Sequence, residues 1–410
     1  MSDTRKSIFI VTKDKYPPFR VDITELYLRY LSRDYRQTFV MKRDEDERPE
    51  PQFNPNVDYV LPPRHAGGRV SRLLSSFRLH IAGIRRLLRD RPDIIQCRDT
   101  MFLALVYLFL SMLIRRPFVY WMSFPMELSN VHRAKEYFAR GALLKALVQL
   151  GYGSLGFASL YLIVLRLARH IFVQSDQMKK DVAALGISET KITAVPMGIN
   201  LDLFNPDTIS TSTDSIYDNH QSIFYSGTLD LSRNMGVPSE GVARFISRQW
   251  NMIFVIAGRA TQGERDVVRR VMRQHGVEDR LVFLEHMPLE EMLSHVKRAS
   301  ICLAPYAVHS KMLRSATPTK LVEYLAMGKR VVANSHPDQV SLLDHTGLGV
   351  VMDFTVEGFE AGLQRSLEID EPTEKETTKA KRWIEENRSY RMLSCIVANA
   401  YDAHCIGAGE

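Results

Sequence analysis

Short apolar runs alternate along this chain with longer segments that have a helical period. The short runs, rich in β-branched and aromatic residues, predict strands. In the first half they cover residues 8–11, 38–41, 58–61, 94–97, 118–122, 171–173 and 192–195. The segments between them predict helices over 23–31, 70–88, 101–114, 131–167 and 175–185. This order predicts a parallel sheet with helices on both faces.

The second half repeats the alternation. Predicted strands cover 223–225, 253–257, 281–284, 301–304, 330–333 and 349–352. Predicted helices cover 237–247, 263–274, 289–297, 319–327, 339–343 and 356–367. We therefore expect a second doubly wound sheet of the α/β class.

The length of 410 residues exceeds what one hydrophobic core usually fills. A turn at 195–200 and a polar stretch at 205–220 place the hinge between two domains. The predicted domains are 1–204 and 205–384, and the helix 385–410 is expected to return to the first domain. Ligands of doubly wound sheets bind at the carboxyl ends of the strands, so we expect an interdomain cleft.

Positive charge is concentrated in the first domain. Residues 59–116 contain eleven Arg, no Lys and three Asp, so their net charge of +8 exceeds the +7 of the whole chain. This composition indicates an anionic partner, either nucleic acid or anionic lipid. No segment resembles a nucleic-acid-binding module.

Two apolar segments, 101–114 and 150–165, favour the lipid. Each is shorter than the roughly 20 residues that span a bilayer. They are typical either of buried helices or of an interfacial membrane element flanked by the aromatic residues Tyr107, Tyr120, Trp121, Tyr152 and Tyr161. We expect peripheral attachment to the inner face of a membrane.

Four scattered cysteines and the absence of a signal-peptide pattern at the N-terminus indicate the cytoplasm. Two motifs are misleading. Gly151-Tyr152-Gly153-Ser154-Leu155-Gly156 has the spacing of a dinucleotide-binding loop but lies inside a predicted helix. Asp44-Glu45-Asp46 resembles a metal-binding triplet but lies in a polar loop, and no other spacing predicts a metal site.

The stretch from Pro318 to Gly328 predicts an anion site. Pro318 is expected in the first turn of a short helix, and Gly328 is expected to end it. Backbone amides around Thr317 and Thr319, together with the helix dipole, favour phosphate. Glu323 can accept hydrogen bonds from two ribose hydroxyls. The alternative is an ordinary amphipathic helix with an exposed Glu.

Further candidates follow the predicted strands of the second domain. They are Gly227 and Thr228 after the first strand, Arg233 in the next loop, Gly258 and Arg259 after the second strand, and His286 and Met287 after the third. Glycine allows close approach of a ligand to the backbone, and arginine can pair with a diphosphate. Each is also common in turns, but together they lie at the ends of successive strands.

Residues 223–335 and the turn Val195-Pro196-Met197-Gly198-Ile199-Asn200 resemble the retaining GT-B glycosyltransferases of family 4, also called group 1. The resemblance implies two Rossmann-like domains. It also implies that Glu323 holds the donor ribose, that Arg233, Lys320 and the amides near Thr317 and Thr319 hold the diphosphate, and that Met287 meets the base. On this resemblance we expect a UDP- or GDP-linked sugar as donor and no requirement for a metal.

The chain departs from the family pattern at three places. Ser315 stands where the family's E-x7-E pattern has its first glutamate. Residues 16–22 replace the paired glycines of the first loop. Ser123 and Glu127 stand near the position of a family histidine and are the catalytic candidates.

Taken together, these features predict an NDP-sugar-dependent hexosyltransferase that acts on a lipid-linked or surface-glycan acceptor. The family resemblance implies retention of the anomeric configuration. The alternatives are a non-catalytic membrane-associated scaffold of the same fold and a sugar-nucleotide epimerase.

Overall fold

The computed structural model describes residues 5–44, 50, 52, 54–63, 69–229, 233–307 and 311–406. Residue contacts divide the chain into two compact units. Unit 1 comprises Met1–Pro196 with Tyr390–Glu410, and unit 2 comprises Met197–Ser389. The expected domain boundary between residues 204 and 205 stays a prediction.

Unit 1 is built on a parallel sheet of seven strands with the order β3-β2-β1-β4-β5-β6-β7. The strands are β1 Lys6–Tyr16, β2 Tyr35–Arg43, β3 Val57–Val60, β4 Ile94–Arg98, β5 Phe118–Met122, β6 His170–Val173 and β7 Ile192–Ala194. The order reverses between β1 and β4, which is where ligands bind in doubly wound sheets.

Helices cover both faces of this sheet. The α-helices before the second unit are α1 Arg69–Asp90, α2 Phe102–Leu113, α3 Met126–Ala139, α4 Leu143–Phe157, α5 Leu165–Leu167 and α6 Asp176–Ala183. Wider, π-type turns form the helical segments Asp22–Tyr30 and Ala158–Val164. One hydrophobic cluster joins the sheet to α1, α2, α6 and the segment Ala158–Val164, and another joins the opposite face to Asp22–Tyr30.

Unit 2 has a six-stranded parallel sheet with the order β10-β9-β8-β11-β12-β13. Its strands are β8 Gln221–Ser226, β9 Met252–Ala257, β10 Leu281–Leu284, β11 Ile301–Ala304, β12 Val331–Asn334 and β13 Gly349–Met352. Its α-helices are α7 Gly236–Ile246, α8 Gln262–Gln274, α9 Leu289–Arg298, α10 Lys311–Arg314, α11 Thr319–Ala326, α12 Pro337–Thr346, α13 Val356–Glu368 and α14 Glu374–Arg388. Each sheet thus has the doubly wound arrangement expected from the sequence.

The end of the chain belongs to unit 1. Helix α15, Tyr390–Tyr401, packs on the segment Asp22–Tyr30, and its Tyr390, Val397 and Tyr401 are buried in the core. The Tyr401 hydroxyl donates to Gln96 Oε1 on β4 at 2.5 Å.

The predicted helix over 131–167 is wrong as one element. Helix α3 ends at Ala139, and Gly141 in the connecting turn adopts a left-handed φ of 71°. A helix of 25 residues, Leu143–Leu167, then follows, comprising α4, Ala158–Val164 and α5. We call it the long helix. It is longer than the apolar segment 150–165 and, among the described residues, is long and apolar enough to cross a membrane.

Two sequence-based assignments to the surface are also wrong. Tyr107, Tyr120, Trp121 and Tyr161 are buried in unit 1, and only Tyr152 of the five expected interfacial aromatics is exposed. Arg98, counted in the basic segment, is fully buried beside Asp22. The segment 59–116 alternates buried strands with helices, so its residues do not form one surface.

Candidate functional site

A cavity of about 430 Å³ lies at the carboxyl ends of the first three strands of unit 2. Seven residues that the sequence singles out line it: Gly227, Thr228, Gly258, Arg259, His286, Met287 and Lys320. The remaining lining residues are Ser226, Ala257, Glu285, Leu289 and Met292. The strand-end residues expected to lie together are therefore brought together with the start of α11.

Backbone contacts fix the floor of this cavity. Gly227 N donates to Ala257 O at 2.9 Å, which continues the pairing of β8 and β9 beyond the strands. Gly258 has a φ of 140°, and a Cβ at this position would lie 2.4 Å from Gly227 O. Only glycine fits at Gly258, because a side chain there would meet backbone.

A buried tyrosine, which sequence analysis missed, ties α11 to the end of β8. Ser226 N donates to the Tyr324 hydroxyl oxygen at 2.7 Å, and Ser226 Oγ lies 3.0 Å from the same oxygen. Burial raises the pKa of Tyr324 well above 10. The neutral hydroxyl thus holds α11 against the end of β8, beside the cavity.

The first turn of α11 carries an ion pair at the edge of the cavity. Lys320 Nζ donates to Glu323 Oε2 at 2.9 Å, and 17 % of the Glu323 side chain is exposed. Glu323 is therefore partly buried, and it is not among the residues that line the cavity. Pro318 is the N-cap residue, one position earlier than the predicted first-turn position, and Gly328 ends the helix with a φ of 68°, as predicted.

The other donor-site candidates lie close in the chain to residues that line the cavity, but they do not line it themselves. Thr317 and Ser315 are buried before α11, and Thr319 is the first residue of that helix. Arg233 is partly buried and precedes α7.

In unit 1 the two catalytic candidates lie after β5. Ser123 is buried, and its N–H donates to Asp99 Oδ1 at 2.7 Å. Glu127 is 1 % exposed and accepts from the Tyr161 hydroxyl at 3.0 Å. Burial raises the pKa of Glu127, against the opposing effect of the Tyr161 hydrogen bond.

A buried charge cluster that sequence analysis missed surrounds Ser123 at the ends of β1 and β4. Asp22 accepts from Arg20 Nε at 3.1 Å and from Arg98. Burial alone would raise the pKa of Asp22, but Arg98 and Arg20 outweigh it and the pKa is lowered. Asp99, with a left-handed φ of 52°, has a raised pKa because burial outweighs the same two arginines.

Lys13 completes this cluster at the end of β1. Burial lowers the pKa of Lys13, although Asp99 and Glu127 oppose the shift. The signal in the sequence was the pair Arg98-Asp99 directly after a predicted strand next to the switch point of the sheet.

The two misleading motifs have structural explanations. Gly151, Gly153 and Gly156 lie within α4, where Gly153 faces the backbone of Glu127 and Gly156 faces Met101. Asp44 pairs with Lys15 at 2.8 Å, whereas Glu45 and Asp46 lie outside the described residues. Within the described part of the chain, no group of three or more His, Cys, Asp or Glu is placed to hold a metal ion.

Comparison with known proteins identifies the family. Residues 22–203 match the family Glycosyltransferase Family 4, and residues 220–368 match Glycosyl transferases group 1. A search of curated proteins finds no match.

Solved structures share the fold over the full length of this chain. Anabaena HepE in complex with UDP has 15% identity and a TM-score of 0.63, covering 97% of this chain and 100% of its own. A glycosyltransferase from Rickettsia africae has 12% identity and a TM-score of 0.68, covering 100% of both chains. WaaG, a glycosyltransferase involved in lipopolysaccharide biosynthesis, has 14% identity and a TM-score of 0.65, covering 98% of this chain and 100% of its own. The chain belongs to the GT-B glycosyltransferases of family 4, group 1.

Proposed function

We propose that this glycosyltransferase moves a hexose from a UDP- or GDP-linked donor to a lipid-linked or surface-glycan acceptor, with retention, at the cytoplasmic face of a membrane. The observation that carries the donor assignment is the cavity at the ends of β8, β9 and β10, beside the Lys320–Glu323 pair. Its volume lies in the range of small-molecule sites. The complexes of Anabaena HepE with UDP and with UDP-glucose support a nucleotide-sugar donor.

The proposed chemistry follows from charge. Transfer leaves negative charge on the departing nucleoside diphosphate, and cations and helix-terminal amides stabilise it. Arg259 and Lys320 line the cavity, and Arg233 is the third proposed cation. Glu323 accepts from the ribose hydroxyls, and its bond to Lys320 orients both groups. Met287 lies at the base end.

In unit 1, we assign different roles to the two catalytic candidates. Ser123 directly follows β5 at the carboxyl ends of the unit 1 strands, and we assign it to the acceptor side of the reaction. Glu127 is almost inaccessible and bonded to Tyr161, which favours a positioning role.

The donor site is tested by thermal unfolding with UDP, GDP and their sugars. A ligand at 100 times its Kd stabilises the folded state by about 2.7 kcal/mol. We expect this stabilisation for the parent protein, and a loss of at least about tenfold in affinity for Glu323→Ala, because one charge-assisted hydrogen bond contributes roughly 1.5–3 kcal/mol. Glu368→Ala, on an exposed turn of α13, is the matched control. Equal stabilisation of Glu323→Ala and the parent by these nucleotides would contradict the proposed site.

Turnover separates transfer from the two alternatives. With a bacterial lipid extract as acceptor, the proposal requires release of the nucleoside diphosphate and a labelled lipid product. Binding without release would support the scaffold, and conversion of free donor without acceptor would support the epimerase.

A further inference from the structure

Helices on one face of the unit 1 sheet expose large apolar side chains on their outer sides. We define the apolar face by Phe109 and Leu113 on α2 and by Leu144, Leu147, Leu155 and Leu162 on the long helix, each at least 60 % exposed. The two helices are neighbours, because α2 packs on Ala158–Val164 and the rings of Phe102 and Tyr152 lie 5.1 Å apart. A monomeric soluble protein rarely exposes a continuous apolar patch of this kind.

The opposite side of the long helix is fixed to unit 1 along its length. Ala146, Gly153 and Gly156 are buried in α4, and Leu160 and Val164 belong to the sheet core. A helix that crossed a bilayer alone would lose all of these contacts. The length and composition of the long helix therefore allow a span, but its packing favours a position in the plane of the interface.

Exposed arginines lie on α1 and close in the chain to the ends of α2 and of the long helix. Arg78 and Arg85 on α1, Arg115 after α2 and Arg140 before α4 are exposed, and none has an acidic partner among the described residues. Arg86 and Arg89, by contrast, are paired with Asp90. Exposed apolar side chains with unpaired arginines complement an anionic lipid surface.

We infer that the apolar face is a monotopic docking surface for an anionic bilayer, in which the long helix lies within one leaflet. This inference rests on the proposed function, which includes the lipid-linked acceptor, and adds the surface that contacts the membrane. Helix α3 joins this surface to the carboxyl end of β5, where Ser123 lies. Glu127 in the first turn of α3 bonds Tyr161 of the long helix and contacts Gly153. An acceptor whose lipid stays in the leaflet can thus present its head group at the strand ends of unit 1.

The docking surface is tested by flotation with phosphatidylcholine vesicles with and without phosphatidylglycerol. We expect the parent protein to float with the mixed vesicles and to lose part of its binding at high salt. The double variant Leu144→Glu, Leu147→Glu should lose at least about tenfold in partitioning, because two exposed leucines leave the lipid. Trp250→Glu, at an 81 % exposed position in unit 2, is the control and should float like the parent.

The orientation is tested by depth-dependent fluorescence quenching. Cys395 and Cys405 are replaced by serine, and single labels are placed by Leu144→Cys, Leu155→Cys and Leu162→Cys. Quenching by lipids brominated at different acyl positions should place all three labels at one shallow depth. A label at Leu155→Cys near the bilayer centre, with the other two near the surface, would show a span and overturn the inference.

Self-association is the competing use of the same face. Without lipid, light scattering after size exclusion should give the same molar mass for the parent and for the Leu144→Glu, Leu147→Glu variant. A dimer that the Leu144→Glu, Leu147→Glu variant abolishes, together with failure of the parent to float, would assign the face to a second copy. Donor binding is measured on the same variants. If the parent binds donor but does not float, only the docking inference fails, and if the parent floats without binding donor, only the proposed function fails.

Discussion

At the scale of single residues, two glutamates that look equivalent in the sequence differ in their surroundings. Glu127 and Glu323 both lie in the first turn or two of a helix that follows a strand. Glu127 is buried and bonded to Tyr161, whereas Glu323 is partly exposed and paired with Lys320. The sequence predicts both positions as candidates, but only the tertiary contacts show that one carboxylate is buried and the other is partly exposed.

Gly258 is expected to be sensitive to the smallest substitution. In Gly258→Ala the new Cβ would meet Gly227 O at 2.4 Å on a backbone with positive φ. We expect unit 2 to lose about 1–3 kcal/mol in free energy of unfolding. Urea unfolding measures this loss. Gly263→Ala in α8, where nothing lies within 4 Å of the new Cβ, is the control and should gain up to about 1 kcal/mol.

At the scale of elements, the alternation of apolar runs and helical periods was enough to place every predicted strand. Strands 118–122, 281–284, 301–304 and 349–352 have the bounds predicted for them. Strands 118–122 and 301–304 are buried on both faces, so their apolar runs are continuous, whereas 281–284 and 349–352 lie at the edges of their sheet and are partly exposed. The break at Gly141 was missed because apolar residues continue on both sides of it. The roles of Gly153 and Gly156 depend on a neighbouring helix that the local sequence does not specify.

Two glycines of α4 should therefore respond differently to the same change. A Cβ at Gly153 would lie 3.0–3.2 Å from Val131, Asn130 and the Glu127 backbone, whereas nothing lies within 4 Å at Gly151. We expect Gly153→Leu to cost unit 1 about 1–3 kcal/mol through overpacking. Gly151→Leu should be neutral or stabilising. Equal melting temperatures for the two variants would contradict the packing of α3 on α4.

At the scale of the whole molecule, composition predicted an excess of positive charge but not where it lies. Two domains, their sheet type and the strand ends that form the cavity followed from the pattern of residues. The buried pair of Arg98 with Asp22 did not, because it joins residues far apart in the sequence. Charge that looks like surface charge in a residue count is here part of the interior of unit 1.

Acid should destabilise unit 1 through His170. This side chain on β6 is buried, its Nε2 lies 3.0 Å from Thr193 Oγ1, and its ring stacks on His404. Burial, with smaller effects of His404 and Lys179, lowers the pKa of His170 from 6.5 to about 3. Between these values the unfolded chain binds more protons, so stability is fully present above about pH 6.5 and is lost as the pH falls.

Between pH 7.5 and pH 5, the free energy of unfolding of His170→Asn should fall by about 2 kcal/mol less than that of the parent. Urea unfolding followed by Trp121 fluorescence, with Trp250 and Trp383 replaced by Phe, reports on unit 1. His345→Asn, at an exposed position in unit 2, is the control. A parent and His170→Asn protein with the same pH slope would show that His170 is not responsible.

The return of α15 to unit 1 has a consequence for synthesis on the ribosome. Tyr390, Val397 and Tyr401 supply part of the unit 1 core, yet they are translated after all of unit 2. The nascent first unit therefore lacks α15, and the surface that α15 covers stays exposed, until residues 197–389 have been translated. Unit 2 is contiguous in the chain and can complete its fold first, so we expect the order of maturation to run opposite to the order of translation.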